Sequence, residues 1–312
     1  MQKRRCNRRR AKTQKKGNDM NRYEVFLRVI DLNSITKAAQ ETGYTQSAVS
    51  QMIQSLEKEL QLTLITRSRN GIGLTHEGAQ MLPYITRLVN EYRVMLDKDH
   101  ELLGLEGGLI RIGTLSSYSS QWLPSVIKDF QALYPGVRFR MRQGDYTTVP
   151  EYIRHGEVDF GFVNPDAKTV RGLETVTITE GGHSAILPKG HRFAGKQVVS
   201  LEELAEEPYI QLETGELSEP IEAFRELGLE PDIELRMHDN FSVCAMVEAG
   251  IGVSIMPDLA LQNMRYDMVT LPTIPEVKRK VAFAMKKKEM LPIASRRFID
   301  FFMKSNVYGG QT

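Results

Sequence analysis

The 312-residue chain is poor in the residues that build covalent or metal-held frameworks. Its two cysteines, Cys6 and Cys244, are too few for a disulfide framework or a four-ligand zinc site. Six histidines are scattered, with no pair at metal-ligand spacing. No segment approaches the roughly 18 consecutive apolar residues of a membrane span. No basic start leads into the apolar run of a secretory signal. G-x-S-x-G, P-loop, H-E-x-x-H and dinucleotide fingerprints are all missing, and Ala249-Gly250-Ile251-Gly252 reads as a helix-to-strand turn. Glu202, Glu203, Glu206 and Glu207 read as a solvated helix face. These absences predict a cytoplasmic protein with no catalytic residues, no metal, no cofactor and no membrane partner.

The composition is that of an ordinary globular protein, 41% hydrophobic and 26% charged, with room for two or three domains. The net charge of +2 is unevenly spread: residues 1–20 hold nine Lys/Arg and one Asp, a net of +8, which leaves −6 for the rest. Residues 1–20 contain too little apolar surface to bury a core and read as a disordered basic extension. Two readings stand: an arm that adds phosphate contacts, or an upstream extension with Met20 as the start.

Tyr23, Phe26, Leu27, Val29 and Ile30 recur at helical spacing near 21–31. Ser34 caps a second helix through Ala38, Ala39 and Thr42, and Gly43 suits the left-handed residue that stops it. Thr45 caps a third helix, whose Val49, Ile53, Leu56 and Leu60 step by 4, 3 and 4 into one apolar stripe. The other face carries Gln46, Ser47, Ser50, Gln51 and Gln54. This is helix-turn-helix spacing, and the chemistry suits DNA: Gln pairs with adenine, Ser bonds base edges and phosphates, and a helix N-terminus favours phosphate. "LITRSRNGIGLT" then reads as a hairpin wing turning near Asn70-Gly71, with Arg67 and Arg69 for phosphate or the minor groove. A plain three-helix bundle with a solvated polar face fits the spacing too. Residues 21–104 hold nine basic and ten acidic side chains, so any positive charge is local to the wing.

Thr75 caps a long helix to about Leu103. Leu82, Ile85, Val89, Tyr92, Leu96, Asp99 and Leu103 alternate steps of 3 and 4, a heptad seam interrupted by Pro83 near its start. An amphipathic helix packed on its own domain would look similar, but a seam this regular favours a homodimer. Leu105–Gly108 reads as a hinge.

Beyond Gly108 strands alternate with helices: "LIRIGTL", "WLPSVIKDFQALY", "VRFRMRQG", "VPEYIRHG" and "VDFGFVN". A second set begins near His183 with "HSAILP" and runs through helix 201–205, strand "PYIQLE", helix 218–227, strand "DIELRMH", helix 241–249 and strand "GVSIMP". Strand "RKVAFAMK" and helix 292–304 close the chain. This order predicts parallel sheet with right-handed crossovers, in two lobes. Ligands of such sheets bind beyond the carboxyl ends of strands. The residues there are Ser116 and Ser117, Thr147 and Thr148, and Asn240 and Phe241. Ser116 and Ser117 precede a helix, a setting that suits an anion. Singly, each of these residues could equally be a helix cap.

The stretch "AAQETGYTQSAVSQMIQSLEKELQLTLITRSRNGIGLTHEG" resembles the winged helix-turn-helix of LysR-type transcriptional regulators. It keeps that family's order of small residues in helix two, "SQ-x-AVS", "LE-x-x-L", "L-F-x-R" and "LT-x-x-G". Gln61 stands where glycine is usual, and Ile65 where phenylalanine is usual. "EVDFGFVN", "SAILPKGHRF" and "VEAGIGVSIMP" sit at the family's places in a periplasmic-binding-protein-like effector domain. The resemblance implies a multidomain fold: a winged helix-turn-helix at 21–78, a dimerisation helix at 79–104, and an α/β effector domain at 105–306. Its lobe I would span about 109–181 and 269–306, and lobe II about 182–268. It implies a sequence-specific regulator whose promoter binding is modulated by a small-molecule effector in the cleft, an anion among the candidates. DNA would be met by Thr45, Gln46, Ser47, Ser50, Gln51, Gln54, Arg67 and Arg69. The implied partners are double-stranded promoter DNA, RNA polymerase and further copies in a homodimer or homotetramer. A transport-type receptor or a cytosolic α/β enzyme is the alternative; the first lacks a signal peptide, the second a nucleophile–base or metal set.

Overall fold

The computed structural model describes residues 21–68, 71–102, 108–305 and 307–308. The basic segment 1–20, Arg69, Asn70 and the hinge residues 105–107 lie outside the described residues. The chain forms two compact units. One comprises residues up to Leu96 with His155–Glu157, the other the remainder.

In the first unit, helix α1 (21–32) buries Val25, Phe26 and Val29. Helix α2 (Ile35–Thr42) is capped by the Ser34 hydroxyl, which accepts from Lys37 N, and ends at Gly43 with φ 75°. Helix α3 (Gln46–Leu60) is capped by Thr45, which accepts from Ala48 N at 3.2 Å. Val49, Ile53 and Leu56 are fully buried against α1 and α2 residues. Each such side chain contributes roughly 1.5–3 kcal/mol, so this stripe fixes how α3 is presented. Strands β1 (Ile65–Ser68) and β2 (Gly71–Leu74) pair antiparallel with Ser68 opposite Gly71, as the hairpin reading expects.

Helix α4 (His76–Leu102) runs on through Pro83. Its start explains the "LTHEG" motif. The Thr75 hydroxyl accepts from Gly78 N at 2.8 Å and donates to Thr63 O at 2.6 Å. This draws the helix so close to the strand that a Cβ on Gly78 would lie 2.0 Å from Leu64 O. The heptad seam is not displayed as expected. Ile85 belongs to the helix-turn-helix core and Val89 is fully buried, while Tyr84, Leu88 and Met95 are exposed. Of the other seam residues, Leu82 and Tyr92 are half-buried, and the side chains of Leu96, Asp99 and Leu103 lie outside the described residues.

The second unit follows the predicted βαβ order: β3 (Gly108–Thr114), α5 (Ser116–Gln121), α6 (Leu123–Leu133), β4 (Val137–Gln143), α7 (Thr148–Arg154) and β5 (Phe160–Val163). Next come β6 (Glu174–Pro188), β7 (Val199–Ser200), α8 (Leu201–Ala205), β8 (Tyr209–Leu212), α9 (Glu219–Glu226), β9 (Ile233–Met237) and α10 (Asn240–Glu248). The chain ends through β10 (Ser254–Pro257), α11 (Asp258–Leu261), β11 (Met268–Ile274), β12 (Lys278–Met285) and α12 (Ile293–Ser305). β3 lies parallel to β4 and β5, and β8 parallel to β9.

Two lobes share one continuous strand. β6 pairs with β12 over Glu174–Gly182, then with β10 over His183–Ile186 and β11 over Ser184–Pro188. Its first half was absent from the sequence reading, which began the second set near His183, although Thr175, Val176, Thr177, Ile178 and Thr179 alternate polar with apolar side chains. β11 also belongs to lobe II, because it pairs with β6 and β7 there and packs Leu271 into that core. The return crossing is therefore at 275–278, later than the expected 269. Lobe I is centred on Phe130, Phe160, Phe162, Phe283, Phe298 and Phe302, in edge-on and tilted contacts. Lobe II has two smaller cores, around Tyr209 and Phe224 and around Val243, Cys244 and Met256.

Candidate DNA interface and effector cleft

The polar face of α3 is open. Thr45, Gln46, Ser47, Gln51 and Gln54 are exposed, Ser50 is half-buried, and Arg67 is exposed on the wing. Thr45 Oγ1 lies 3.0 Å from Ser47 Oγ, so the capping hydroxyl also steadies its neighbour. No acidic residue occupies the first turn of α3, which leaves the positive end of its dipole uncompensated. The wing is pinned at both ends. Glu57 Oε1 accepts from Leu64 N at 2.8 Å and Ile65 N at 3.3 Å, and Asn33 Oδ1 accepts from Ile72 N at 2.6 Å. Gln61, the departure from the glycine pattern, adopts the left-handed conformation a glycine would take, with φ 55°.

In the second unit, the carboxyl ends of β3, β4, β8 and β9 surround a cavity of about 320 Å³ between the lobes. Ser116, Ser117, Thr148 and Asn240 line it. Asn240 Nδ2 donates to Ser116 Oγ across the lobes at 3.0 Å. Ser117 is buried, and its hydroxyl forms no hydrogen bond among the described residues. Thr148 closes a tight turn with Asp145, whose Oδ1 takes three donors from Thr147 N, Thr148 N and Thr148 Oγ1 at 2.7–2.9 Å.

Two of the expected residues do other things. Thr147 Oγ1 accepts from Glu216 N at 2.8 Å, tying lobe I to lobe II beside the Tyr146 N to Thr214 O bond, also 2.8 Å. Gly215 makes this approach possible: its φ is 94°, and a Cβ there would meet Thr147 N at 2.8 Å. Phe241 is 59% exposed and does not line the cavity. The helix that begins at Ser116 is only six residues long, so its dipole adds little to the attraction for an anion. A residue absent from the sequence reading takes its place. Arg279, on β12, is 4% exposed and lines the cavity. In sequence it sits in "KRK", which looks like an exposed strand edge; only the pairing of β12 with β6 turns it inward.

Beside it, burial and the Arg279 charge pull the His183 imidazole down to about 3, so that ring is neutral at physiological pH. Its Nδ1 lies 3.3 Å from Val277 O. In lobe I, Asp159 is buried with Arg111, at 3.4 Å from its guanidinium, and accepts from Ser295 Oγ at 2.7 Å.

Comparison with known proteins matches both units to one family. Residues 20–79 match the model described as the bacterial regulatory helix-turn-helix protein, lysR family, and residues 103–306 match the LysR substrate binding domain. Among curated relatives, the uncharacterized HTH-type transcriptional regulator YvbU of Bacillus subtilis is 28% identical over 92% of this chain and 98% of its own. The transcriptional dual regulator GltC of the same organism is 27% identical over 93% and 99%. Among solved structures, HinK, a LysR family regulator from Pseudomonas aeruginosa, aligns with a TM-score of 0.58 and 26% identity over 91% of this chain and 97% of its own. CbnR, another LysR family regulator, aligns with a TM-score of 0.68 at 19% identity over 92% and 98%, which supports the fold.

The chain belongs to the LysR family of transcriptional regulators. It is a DNA-binding regulator rather than an enzyme, with a helix-turn-helix domain and an effector domain whose ligand modulates DNA binding. Among the described residues no helix is long and apolar enough to cross a membrane.

Proposed function

We propose that α3 enters the major groove of a promoter site, with Gln46, Ser47, Ser50, Gln51 and Gln54 toward base edges and Thr45 and Arg67 toward phosphate. The carrying observation is the division of α3: a fully buried Val49–Ile53–Leu56 stripe opposite an open polar face with no acid in its first turn. Arg69 is assigned with Arg67 from its place in the wing sequence. Two chains associate through α4, using the exposed row Tyr84, Leu88 and Met95. Paired recognition helices then read a partly palindromic site one helical turn apart. A related LysR regulator, CbnR, has been crystallised with its target DNA. The protein works in the cytoplasm as a homodimer or a pair of dimers, and transmits its state to RNA polymerase. A small molecule between the lobes, held by Ser116, Ser117, Thr148 and Asn240, changes the lobe angle and so the placement of the DNA-binding heads.

Titrating a fragment of the upstream region of its own gene should give binding that weakens steeply with salt. Ser50→Ala with Gln51→Ala should lower specific affinity by about 1–3 kcal/mol and leave non-specific binding unchanged. Unchanged promoter affinity in the double variant would remove both residues from the recognition surface.

A further inference from the structure

Arg279 carries a charge that the protein itself leaves without a close counter-ion. A guanidinium does not deprotonate, so a buried one is stable only when its charge and donors are engaged. Arg279 is 4% exposed, and its guanidinium carbon lies 5.0 Å from the centre of the Tyr118 ring. No carboxylate among the described residues is within ion-pair distance of it; the Tyr118 and Tyr146 side chains are its near polar neighbours, and the field of Glu219 reaches it along a larger groove that both Glu219 and Arg279 line. Glu219 is itself bonded across the lobes to Asn164 Nδ2 at 2.9 Å. The two acids that line the cleft with Arg279 are engaged elsewhere. Asp145 turns its Oδ1 to three donors of its own turn, and Glu213 lies 3.1 Å from His238 Nε2. The Tyr118 and Tyr146 hydroxyls buried beside Arg279 are neutral and bring no compensating charge. The cleft thus presents an unneutralised guanidinium, the free Ser117 hydroxyl and the Asn240 amide to one cavity of about 320 Å³.

We propose that the effector is a small organic acid whose carboxylate pairs with Arg279, with Ser117 and Asn240 holding the same end of the molecule. This rests on the reading of the cleft as the effector site. Arg favours carboxylates through its planar fork of donors, and a desolvated site strengthens the pair. The cavity is at the low end of the range for organic ligands, so the acid is compact. Glu219 acts as the internal counter-charge that the ligand competes with for Arg279.

The test uses the full chain in calorimetry and thermal shift. Probes are carboxylic acids of two to seven carbons (acetate, succinate, glutarate and benzoate among them), their amides, and inorganic sulfate and phosphate. At least one acid should bind ten times more tightly than its amide and more tightly than either inorganic ion. Arg279→Gln should weaken that acid at least tenfold and Arg279→Lys by less, while Glu219→Gln, which keeps the bond to Asn164, should tighten it. Because Arg279→Gln removes a buried group, promoter binding checks that the chain is folded. The acid-over-amide preference of the unaltered protein needs no variant. Failure of every acid to bind, equal binding of amide and acid, or tighter binding of sulfate or phosphate overturns the proposal. Full affinity in folded Arg279→Gln overturns it too. Ser116→Phe separates the two levels. If it abolishes binding of a neutral probe that the unaltered protein holds at least as tightly as any acid, the cleft reading stands and the organic-acid inference falls. If it leaves all ligand binding intact, the cleft reading falls as well.

Discussion

The DNA-binding unit presents its polar residues from one stretch of ten, Thr45 to Gln54, on a helix held by a single stripe. The effector cleft draws Ser116, Thr148, Asn240 and Arg279 from strand and loop ends spread over the whole second unit. The first surface is exposed and its polar groups are free to meet water. The second is buried, so every polar group in it must be partnered or held for a ligand. A local, exposed site tolerates loss of side chains but depends on helix presentation. A buried, assembled site is sensitive to charge.

The largest expected effect tests the buried side of that contrast. His183 has its folded value depressed to about 3 from the ordinary 6.5, so it contributes stability that is fully present above about pH 6.5. That stability is lost as pH falls toward 3, because the unfolded chain takes up the proton first. The difference corresponds to as much as about 5 kcal/mol at 1.36 kcal/mol per unit. His183→Asn, which can keep a donor toward Val277 O, should flatten the acid limb of stability in the effector unit by most of that amount. The chain's single tryptophan, Trp122, sits in the lobe I core and reports its unfolding by fluorescence. An acid limb identical in the variant would show that His183 is not what acid attacks.

The same contrast decides what could be read from sequence. Helices α2 and α3 were legible because cap, stripe and turn residue all lie within 27 residues, from Ser34 to Leu60. Ser116, Ser117 and Asn240 were legible because strand ends are local features. Arg279 was not, because its burial follows from β12 pairing with a strand about a hundred residues earlier, whose first half the sequence reading passed over. On α4 the sequence likewise shows a stripe without showing what covers it. Periodicity gives a stripe, but only the tertiary core shows that Ile85 is already taken.

The next effect tests presentation in the exposed unit. Gly78→Ala puts a methyl 2.0 Å from Leu64 O, and backbone on both sides must move. Overpacking of this kind costs about 1–3 kcal/mol, and here it also shifts the wing. Amide hydrogen exchange in α3 and β1 should speed up by that free energy while exchange in β3 and β12 is unchanged. Promoter affinity should fall at least tenfold although no residue facing DNA has been altered. Normal affinity would mean that the wing's pose is not set from α4.

The smallest effect has the opposite sign. Gln61 holds a left-handed conformation with φ 55°, is exposed, and donates its backbone N–H to Glu57 O. A side chain in that region costs about 1 kcal/mol relative to glycine, whereas glycine's freedom in the unfolded chain costs it about 0.5–1 kcal/mol in ordinary conformations. At positive φ the strain relief acts against that entropy, and the backbone bond to Glu57 is available to glycine as well. Gln61→Gly should therefore stabilise the helix-turn-helix by up to about 0.5 kcal/mol, read as slower amide exchange at the end of α3. Promoter affinity should be unchanged, because Glu57 still holds Leu64 N and Ile65 N at the base of the wing. Faster exchange in the variant would mean that the glutamine side chain contributes more than its backbone strain costs, and that the departure from glycine is compensated locally.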